Sequence, residues 1–233
     1  MANILTLDTS TDACSVALSL DGVVQEDFRI IPRQHTRQLL PMVDQMLKTA
    51  GLKVSQLDAI AFGRGPGSFA GIRIATGTAQ GLAFAADLPV LPVSTLAAIA
   101  LKAAREHNVD RIVSTLDARM NELYSCAYQM RDGLPVALGN ETVSAPENIV
   151  LPDGDNWFAA GRGWVYLEQM SAEVRQAVTT PVLDIYPAAG VMSELALDAY
   201  LRGEGMAAEL AQPVYLRDEV SWKKISEQKK KNQ

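Results

Sequence analysis

Two aspartates end predicted strands at corresponding points in the two halves of the chain. Asp8 ends the run "NILTLD" and is followed by Thr9 and Ser10, while Asp117 ends the run "RIVSTLD", with Arg119 two residues later. Facing loops of this composition could hold the phosphates of a nucleotide through backbone N–H groups and Mg²⁺. Asp-Thr-Ser is also typical of an ordinary turn. The spacing alone leaves both interpretations open.

A glycine-rich stretch, "GRGPGSFAGIRI", runs from Gly63 to Ile74. It is not a Walker A loop, because the chain contains no Gly-Lys pair, and it is not a dinucleotide fingerprint, because Ala70 stands where the third glycine belongs. A nucleophile elbow fails because Ser68 directly follows Gly67. We interpret the stretch as a strand-to-helix turn whose glycines supply unusual backbone angles. Its loop residues are Arg64, Gly65, Gly67 and Ser68, and a minor ligand role for Arg64 or Ser68 stays open.

Metal and nucleophilic chemistry find little support in the residue types. The two histidines, His35 and His107, lie far apart on predicted helices, where we expect them at the surface. No H-E-x-x-H sequence and no Cys/His cluster has the spacing of a zinc site. Two histidines are enough for a Ser-His-Asp triad, although no sequence feature indicates that either histidine is its base. We therefore expect no metal site.

The composition of the chain further limits the classes of protein to which it can belong. The 233 residues are 48% hydrophobic, carry a net charge of −6 and have a pI near 5.0. An acidic protein is a poor lone binder of nucleic acid, so a role on RNA would need a partner. No apolar run approaches the length of a membrane helix, and the N-terminal residues do not resemble a signal peptide. Two isolated cysteines fit a reducing, cytoplasmic location.

The periodicity predicts two α/β halves. A three-stranded meander opens the chain, with a turn at Asp21-Gly22, and helices and strands alternate after it. A shorter second half begins with another hairpin, and we expect short strands and loops in "ENIVLP", "NWFAAGRG" and "VLDIYPAAG". We predict an N-terminal α/β domain at 1–107, completed by a helix at 190–202, a smaller α/β domain at 108–217, and a disordered basic tail at 218–233.

The helix after the glycine stretch is rich in small residues. Gly77 and Gly81 lie four apart on one helical face, where each costs about 1 kcal/mol relative to alanine. Such a cost is tolerated where another backbone comes very close. The neighbour is either a helix of the same domain or another subunit.

Several quoted segments together resemble the TsaB (YeaZ) family: "LDTST", "ACSVAL", "GRGPGSFAGIRI", "VSTLAAIA", "DARMNELY", "YPAAG" and "PVYLR". The resemblance runs from Ile4 to about Arg217, nearly the whole chain. It implies an α/β fold of the actin/Hsp70/sugar-kinase-like (ribonuclease H-like) type, with two domains of mixed sheets flanked by helices and a cleft between them.

The resemblance also implies a function. Family members are non-catalytic scaffolds or activators that pair with a TsaD-type subunit, together with a TsaE-type ATPase. The assembly transfers a threonylcarbamoyl group from its adenylate to N6 of a tRNA adenosine next to the anticodon. We accordingly expect tRNA contact only through the complex, ATP and Mg²⁺ in the assembled complex and no cofactor bound by this chain itself. The alternatives are a small ATPase or phosphotransferase using Asp8 and Asp117, and, third, a metallopeptidase-like protein.

Two further expectations follow from the resemblance. TsaD-type proteins carry a His-x-x-x-His metal pair where this chain has Thr95 and Ile99, neither of which offers an imidazole. Family members also pair with themselves and with TsaD-type subunits through their first two helices. The interface residues predicted on that basis are Leu39, Val43, Met46, Ile74, Gly77, Thr78 and Gly81.

Overall fold

The first half of the chain forms a five-stranded mixed sheet. Its strands are β1 (Ile4–Asp8), β2 (Ala13–Leu20), β3 (Val23–Ile30), β4 (Ala59–Gly65) and β5 (Val90–Ser94). Their order across the sheet is β3-β2-β1-β4-β5. The first three strands pair antiparallel, whereas β4 pairs parallel with both β1 and β5. A computed structural model supplies these coordinates, and it describes residues 2–217.

The meander follows from its turn chemistry. Asp21 and Gly22, which join β2 to β3, have φ values of 50° and 84°. Positive φ at both central positions matches the right-handed twist of the flanking strands, and Asp-Gly tolerates it well. The predicted hairpin is therefore confirmed.

Helices cover both faces of this sheet. On one face, α1 (His35–Ala50) and α2 (Phe69–Ala86) bury a large apolar cluster against β1, β2 and β4. On the other face, α3 (Thr95–His107) and a helix at Ala189–Leu201 pack on β1, β4 and β5. Pro41 lies inside α1, which begins at His35 and continues through it.

The second half builds a smaller mixed sheet. Its strands are β6 (Arg111–Arg119), β7 (Glu122–Arg131), β8 (Leu134–Ala137), β9 (Thr142–Ser144) and β10 (Phe158–Ala160). They run in the order β10-β6-β7-β8, with β9 also pairing with β7. One face packs against α3, and the other packs around Trp157 and Trp164, beside the short helix α4 (Ala172–Ala177). Helix α3 thus lies between the two sheets.

The helix at Ala189–Leu201, α5, returns to the first sheet from far along the chain. The backbone N–H of Ala189 donates to Ser15 Oγ over 2.9 Å, and that of Gly190 donates to Glu26 over 2.7 Å. These two contacts tie the first turn of α5 to β2 and β3.

Two mixed sheets flanked by helices confirm the predicted fold class. Of the segments expected to form short strands and loops, "NWFAAGRG" contains β10, whereas "ENIVLP" begins within a 3-10 turn at Pro146–Asn148 and forms no strand. Three other 3-10 segments lie at Val54–Gln56, Arg162–Gln169 and Ala208–Leu210. The predicted tail at 218–233 lies outside the described residues. Within residues 2–217, every helix is too short or too polar to cross a membrane.

Candidate functional site

A cleft of about 730 Å³ opens between the two halves. The first half lines it with the turn after β1, the loop before α1 and the first turn of α2. The second half contributes the ends of β6 and β7, the segment at 185–186 and the chain at 214–217. The cleft therefore lies where the sequence predicts facing loops.

Asp8 does not face this cleft. Its side chain is buried at the end of β1, with 1% of the residue exposed, and its carboxylate accepts hydrogen bonds from the backbone N–H of Ser10 at 2.9 Å and from Ser10 Oγ at 2.7 Å. Burial raises the pKa of Asp8 to about 7, and the hydrogen bonds from Ser10 offset part of that rise. The Asp8 carboxylate is therefore engaged by two donors from Ser10 and is not part of the lining of the cleft.

The glycines of the stretch before α2 make room for the turn after β1. A Cβ on Gly63 would lie 2.7 Å from Asp8 Oδ1, one on Gly67 would lie 2.5 Å from the carbonyl oxygen of Ser10, and one on Gly71 would lie 1.9 Å from that of Thr9. Such distances are far inside van der Waals contact. The interpretation as a strand-to-helix turn is confirmed, and its glycines are required by backbone packing.

Arg64 also has a structural partner. Its Nη1 lies 3.0 Å from Glu141 Oε2, and the same carboxylate accepts a hydrogen bond from Ser94, the N-cap of α3. Arg64 therefore joins the first sheet to the β8–β9 loop and does not line the cleft. Ser68, by contrast, lines the cleft as the N-cap of α2, with its hydroxyl accepting the N–H of Gly71 at 3.4 Å.

The second predicted aspartate does reach the cleft. Asp117 accepts hydrogen bonds from the backbone N–H of Arg119 at 2.8 Å, from Arg119 Nη1 at 3.1 Å and from the Tyr166 hydroxyl at 3.1 Å. Desolvation raises the pKa of Tyr166, and the hydrogen bond to Asp117 adds to the rise. The structure thus brings Ser10, Asp117 and Arg119 to one cleft, whereas Asp8, which is hydrogen-bonded to Ser10, does not line it.

The metal-ligating residue types are dispersed. His35 is buried, with Nε2 lying 3.1 Å from the carbonyl oxygen of Ala13, so the expectation that it is a surface residue is wrong. His107 is exposed and lies against Phe158, with the ring centroids 4.7 Å apart. Across the part of the chain that the structure describes, no three His, Cys, Asp or Glu side chains converge on a common point.

Three of the predicted interface residues are part of the core. Leu39, Val43 and Met46 lie on the buried face of α1 and pack against the first sheet and α2. The same apolar stripe cannot also meet another subunit, so their assignment to an interface is corrected. The three residues do lie on one face of a helix, as their spacing predicts, but that face packs within the chain.

The exposed face of α2 is better suited to contact a partner. A Cβ on Gly77 or Gly81 would meet no atom within 4 Å, so neither glycine is explained by packing within residues 2–217. Phe84 lies one turn further along and is 76% exposed. We call Arg73, Gly77, Gly81 and Phe84 the α2 face. Ile74 and Thr78 flank it and are half-buried.

A stacked group of side chains that the sequence analysis did not select lies where the α2 face meets the cleft. The Arg73 guanidinium carbon is 3.6 Å from the centroid of the Phe69 ring, and Arg73 Nε donates to the Tyr215 hydroxyl over 2.7 Å. Both rings are partly exposed. The (i, i+4) spacing of Phe69 and Arg73 was a usable signal, whereas the approach of Tyr215 depends on the tertiary fold.

The comparisons with known proteins agree on one family. The family model described as "TsaD: tRNA N6-adenosine threonylcarbamoyltransferase" matches residues 20–224. A "tRNA threonylcarbamoyladenosine biosynthesis protein TsaB" from Escherichia coli is 40% identical over 95% of this chain and 97% of its own length, and its namesake from Haemophilus influenzae is 41% identical over 95% and 96%. A solved structure described as "YeaZ from Pseudomonas aeruginosa" has a TM-score of 0.88 and 47% identity, covering 93% of this chain and all of that one. The chain therefore belongs to the TsaB (YeaZ) family, within the wider group that the TsaD model describes.

Proposed function

We propose that this chain is a non-catalytic partner of a TsaD-type subunit in the biosynthesis of N6-threonylcarbamoyladenosine on tRNA. The assignment to this pathway is supported by the names of its relatives, which are described as tRNA threonylcarbamoyladenosine biosynthesis proteins. In this proposal the TsaD-type subunit carries out the threonylcarbamoyl transfer and a TsaE-type ATPase assists it. This chain supports the assembly in the cytoplasm.

The enclosure of the Asp8 carboxylate is the observation that supports a non-catalytic role. A catalytic carboxylate must reach substrate, metal or a reacting proton, and Asp8 is enclosed by Ser10 and the β4 backbone. The positions corresponding to the TsaD-type histidine pair hold Thr95 and Ile99, both completely buried. These residues fit a packed helix start, and neither supplies the neutral imidazole that a metal would need.

The α2 face supports the partner role. Two open glycines allow a second backbone to approach α2 closely, and Phe84 offers an exposed aromatic anchor beside them. Aromatic side chains and arginine are enriched among the residues that dominate protein–protein affinity. Phe84 and Arg73 border the glycines at opposite ends of this face.

Reconstitution tests the proposal directly. The chain would be co-purified with a TsaD-type protein, and threonylcarbamoyl transfer to tRNA would be measured with each component omitted in turn. We expect a stable heterodimer and transfer that requires both chains, with Asp8→Asn retaining activity to within about tenfold. A loss of roughly 100-fold in an assembled Asp8→Asn complex would contradict the non-catalytic role.

A second measurement separates the alternative. The isolated chain would be incubated with saturating ATP and Mg²⁺, and phosphate release would be followed. Turnover that Asp8→Asn abolishes would overturn the proposal in favour of a small ATPase.

A further inference from the structure

The charge around the cleft is opposite in sign to that of the chain as a whole. The protein carries a net charge of −6, yet four arginines line this one cleft against two aspartates. Within residues 2–217, Arg33 and Arg162 have no carboxylate within 4.0 Å, whereas Arg119 is paired with Asp117 and Arg217 with Glu122. A local excess of guanidinium groups in an acidic protein favours a ligand that carries phosphate.

Two of these arginines lie on strained backbone. Arg33 has a φ of 65° and Arg119 a φ of 64°, and Met120 and Asn121 continue the left-handed conformation at 59° and 60°. The left-handed conformation is unfavourable for residues that carry a side chain, and it persists only where the surroundings hold it. The strained tip of the β6–β7 hairpin therefore needs specific support.

Arg217 provides much of that support. Its guanidinium donates to the carbonyl oxygens of Ala118 at 3.2 Å and Arg119 at 3.4 Å. Together with the bond from the Arg119 N–H to Asp117, these contacts hold the hairpin tip at the rim of the cleft. The backbone of Arg119 is thereby held at the rim of the cleft.

Aromatic rings complete the lining. Phe69, Tyr124, Tyr186 and Tyr215 all contribute to it, and the Tyr186 hydroxyl lies 3.5 Å from Arg162 Nη1. Rings next to guanidinium groups are how proteins hold single-stranded nucleic acid, because bases stack on the rings while arginines take the phosphates. A cleft of about 730 Å³ is large enough for one or two nucleotides.

We propose that this cleft binds single-stranded RNA, with phosphates at Arg33 and Arg162 and a base stacked on Tyr186. The inference rests on the proposed function in naming RNA, rather than another phosphate ester, as the ligand. It revises the expectation that tRNA contact occurs only through other subunits. It does not require Mg²⁺ or Asp8, since arginines bind phosphate directly.

Further positive charge follows in the sequence. The described part of the chain ends at Arg217, a residue of the cleft, and five of the eight lysines follow it in sequence, at positions 223, 224, 229, 230 and 231. The test therefore uses a chain that includes residues 218–233.

The experiment measures binding of a fluorescent single-stranded RNA of about 12 nucleotides, a duplex of the same length, and ATP. The double variant Arg33→Gln/Arg162→Gln would be compared with Lys53→Gln/Arg131→Gln, which removes the same charge from exposed positions outside the cleft. We expect the cleft variant to lose roughly 10- to 30-fold in affinity at about 0.1 M salt and to flatten the slope of log K against log salt by about 1.4. The control variant should keep both values.

Tyr186→Leu gives an independent readout, because it removes the stacking ring without changing the charge. We expect roughly tenfold weaker binding with the salt slope unchanged. Thermal melting of each variant establishes that it is folded. Equal losses in the cleft and control variants, duplex RNA bound as tightly as single-stranded RNA, or binding of ATP alone would each overturn the proposal.

Association with a TsaD-type subunit is measured in parallel. If the subunit fails to bind while the RNA results hold, the proposed function is wrong and the cleft still binds RNA. If the subunit binds normally while Arg33→Gln/Arg162→Gln leaves RNA affinity unchanged, the inference about the cleft is wrong.

Discussion

Thr9 and Gly71 join the turn after β1 to the first turn of α2 at very short range. Thr9 Oγ1 donates to the carbonyl oxygen of Gly71 over 2.6 Å, and a Cβ on Gly71 would lie only 1.9 Å from the carbonyl oxygen of Thr9. The atom that this Cβ would meet belongs to the backbone and cannot rotate away as a side chain could. This contact explains why a glycine is needed four residues after Gly67.

Alanine substitutions at two glycines of the same helix should therefore have opposite effects. We expect Gly71→Ala to lower the free energy of unfolding by about 3 kcal/mol or more, because the turn and the helix must separate. Gly77→Ala should raise it by up to about 1 kcal/mol, because open space surrounds that position and alanine favours the helix. Chemical denaturation of both variants measures the difference. Similar destabilisation by the two changes would show that the close contact at Gly71 is not decisive.

The buried carboxyl group of Asp8 should make stability depend on pH. Its pKa is raised to about 7 in the folded chain from an ordinary value near 4, so the folded state binds the proton more tightly than the unfolded state. Stability from this group is greatest below about pH 4 and falls as the pH rises towards 7, by on the order of 3–4 kcal/mol.

Asp8→Asn should remove that dependence, because an amide keeps the contacts with Ser10 without a titrating proton. We expect the variant to be more stable than the unmodified chain at about pH 8 and similar to it at about pH 3.5, where the folded and unfolded states of the unmodified chain both hold the proton. Urea denaturation at the two pH values provides the measurement. Asp44→Asn, at an exposed carboxylate paired with Lys48, serves as the control and should change little at either pH.

A bulky side chain on the α2 face should block association and leave the fold intact. Gly81→Leu places a branched side chain where the structure shows open space, so we expect a folded monomer that no longer binds a TsaD-type subunit. Gly139→Leu is the matched control, since that glycine also has open space around it but lies in the β8–β9 loop. Sedimentation and pull-down measure both variants. An associated Gly81→Leu protein, or one that unfolds, would place the interface elsewhere.

The same face predicts competition between partners. If the homodimer and the heterodimer both use the α2 face, they exclude each other, because one surface cannot hold two backbones at close range. Titration of the chain with a TsaD-type subunit should convert homodimer to heterodimer, as followed by sedimentation. A stable species containing two copies of this chain in contact through α2 and a bound TsaD-type subunit would contradict this prediction.

The sequence by itself determined the elements and their junctions. The alternation of apolar and polar residues predicted that β1 ends at Asp8. The Asp21-Gly22 pair predicted the hairpin, and the glycine stretch predicted a strand-to-helix turn. These features depend on backbone conformation and on contacts between near neighbours, and so local residue types are enough to indicate them. The motifs quoted for the family added the architecture, which the sheets confirm.

Only the tertiary structure decided how each side chain is used. The helical periodicity placed Leu39, Val43 and Met46 on one face of α1. Whether that face contacts the core or a partner depends on what packs against it, and in this structure the first sheet packs there. Asp8 ends its strand as expected, yet the contacts of Ser10 and Gly63 enclose it. Burial and its electrostatic consequences arise from residues distant in sequence, so they are set when the sheets and helices pack together.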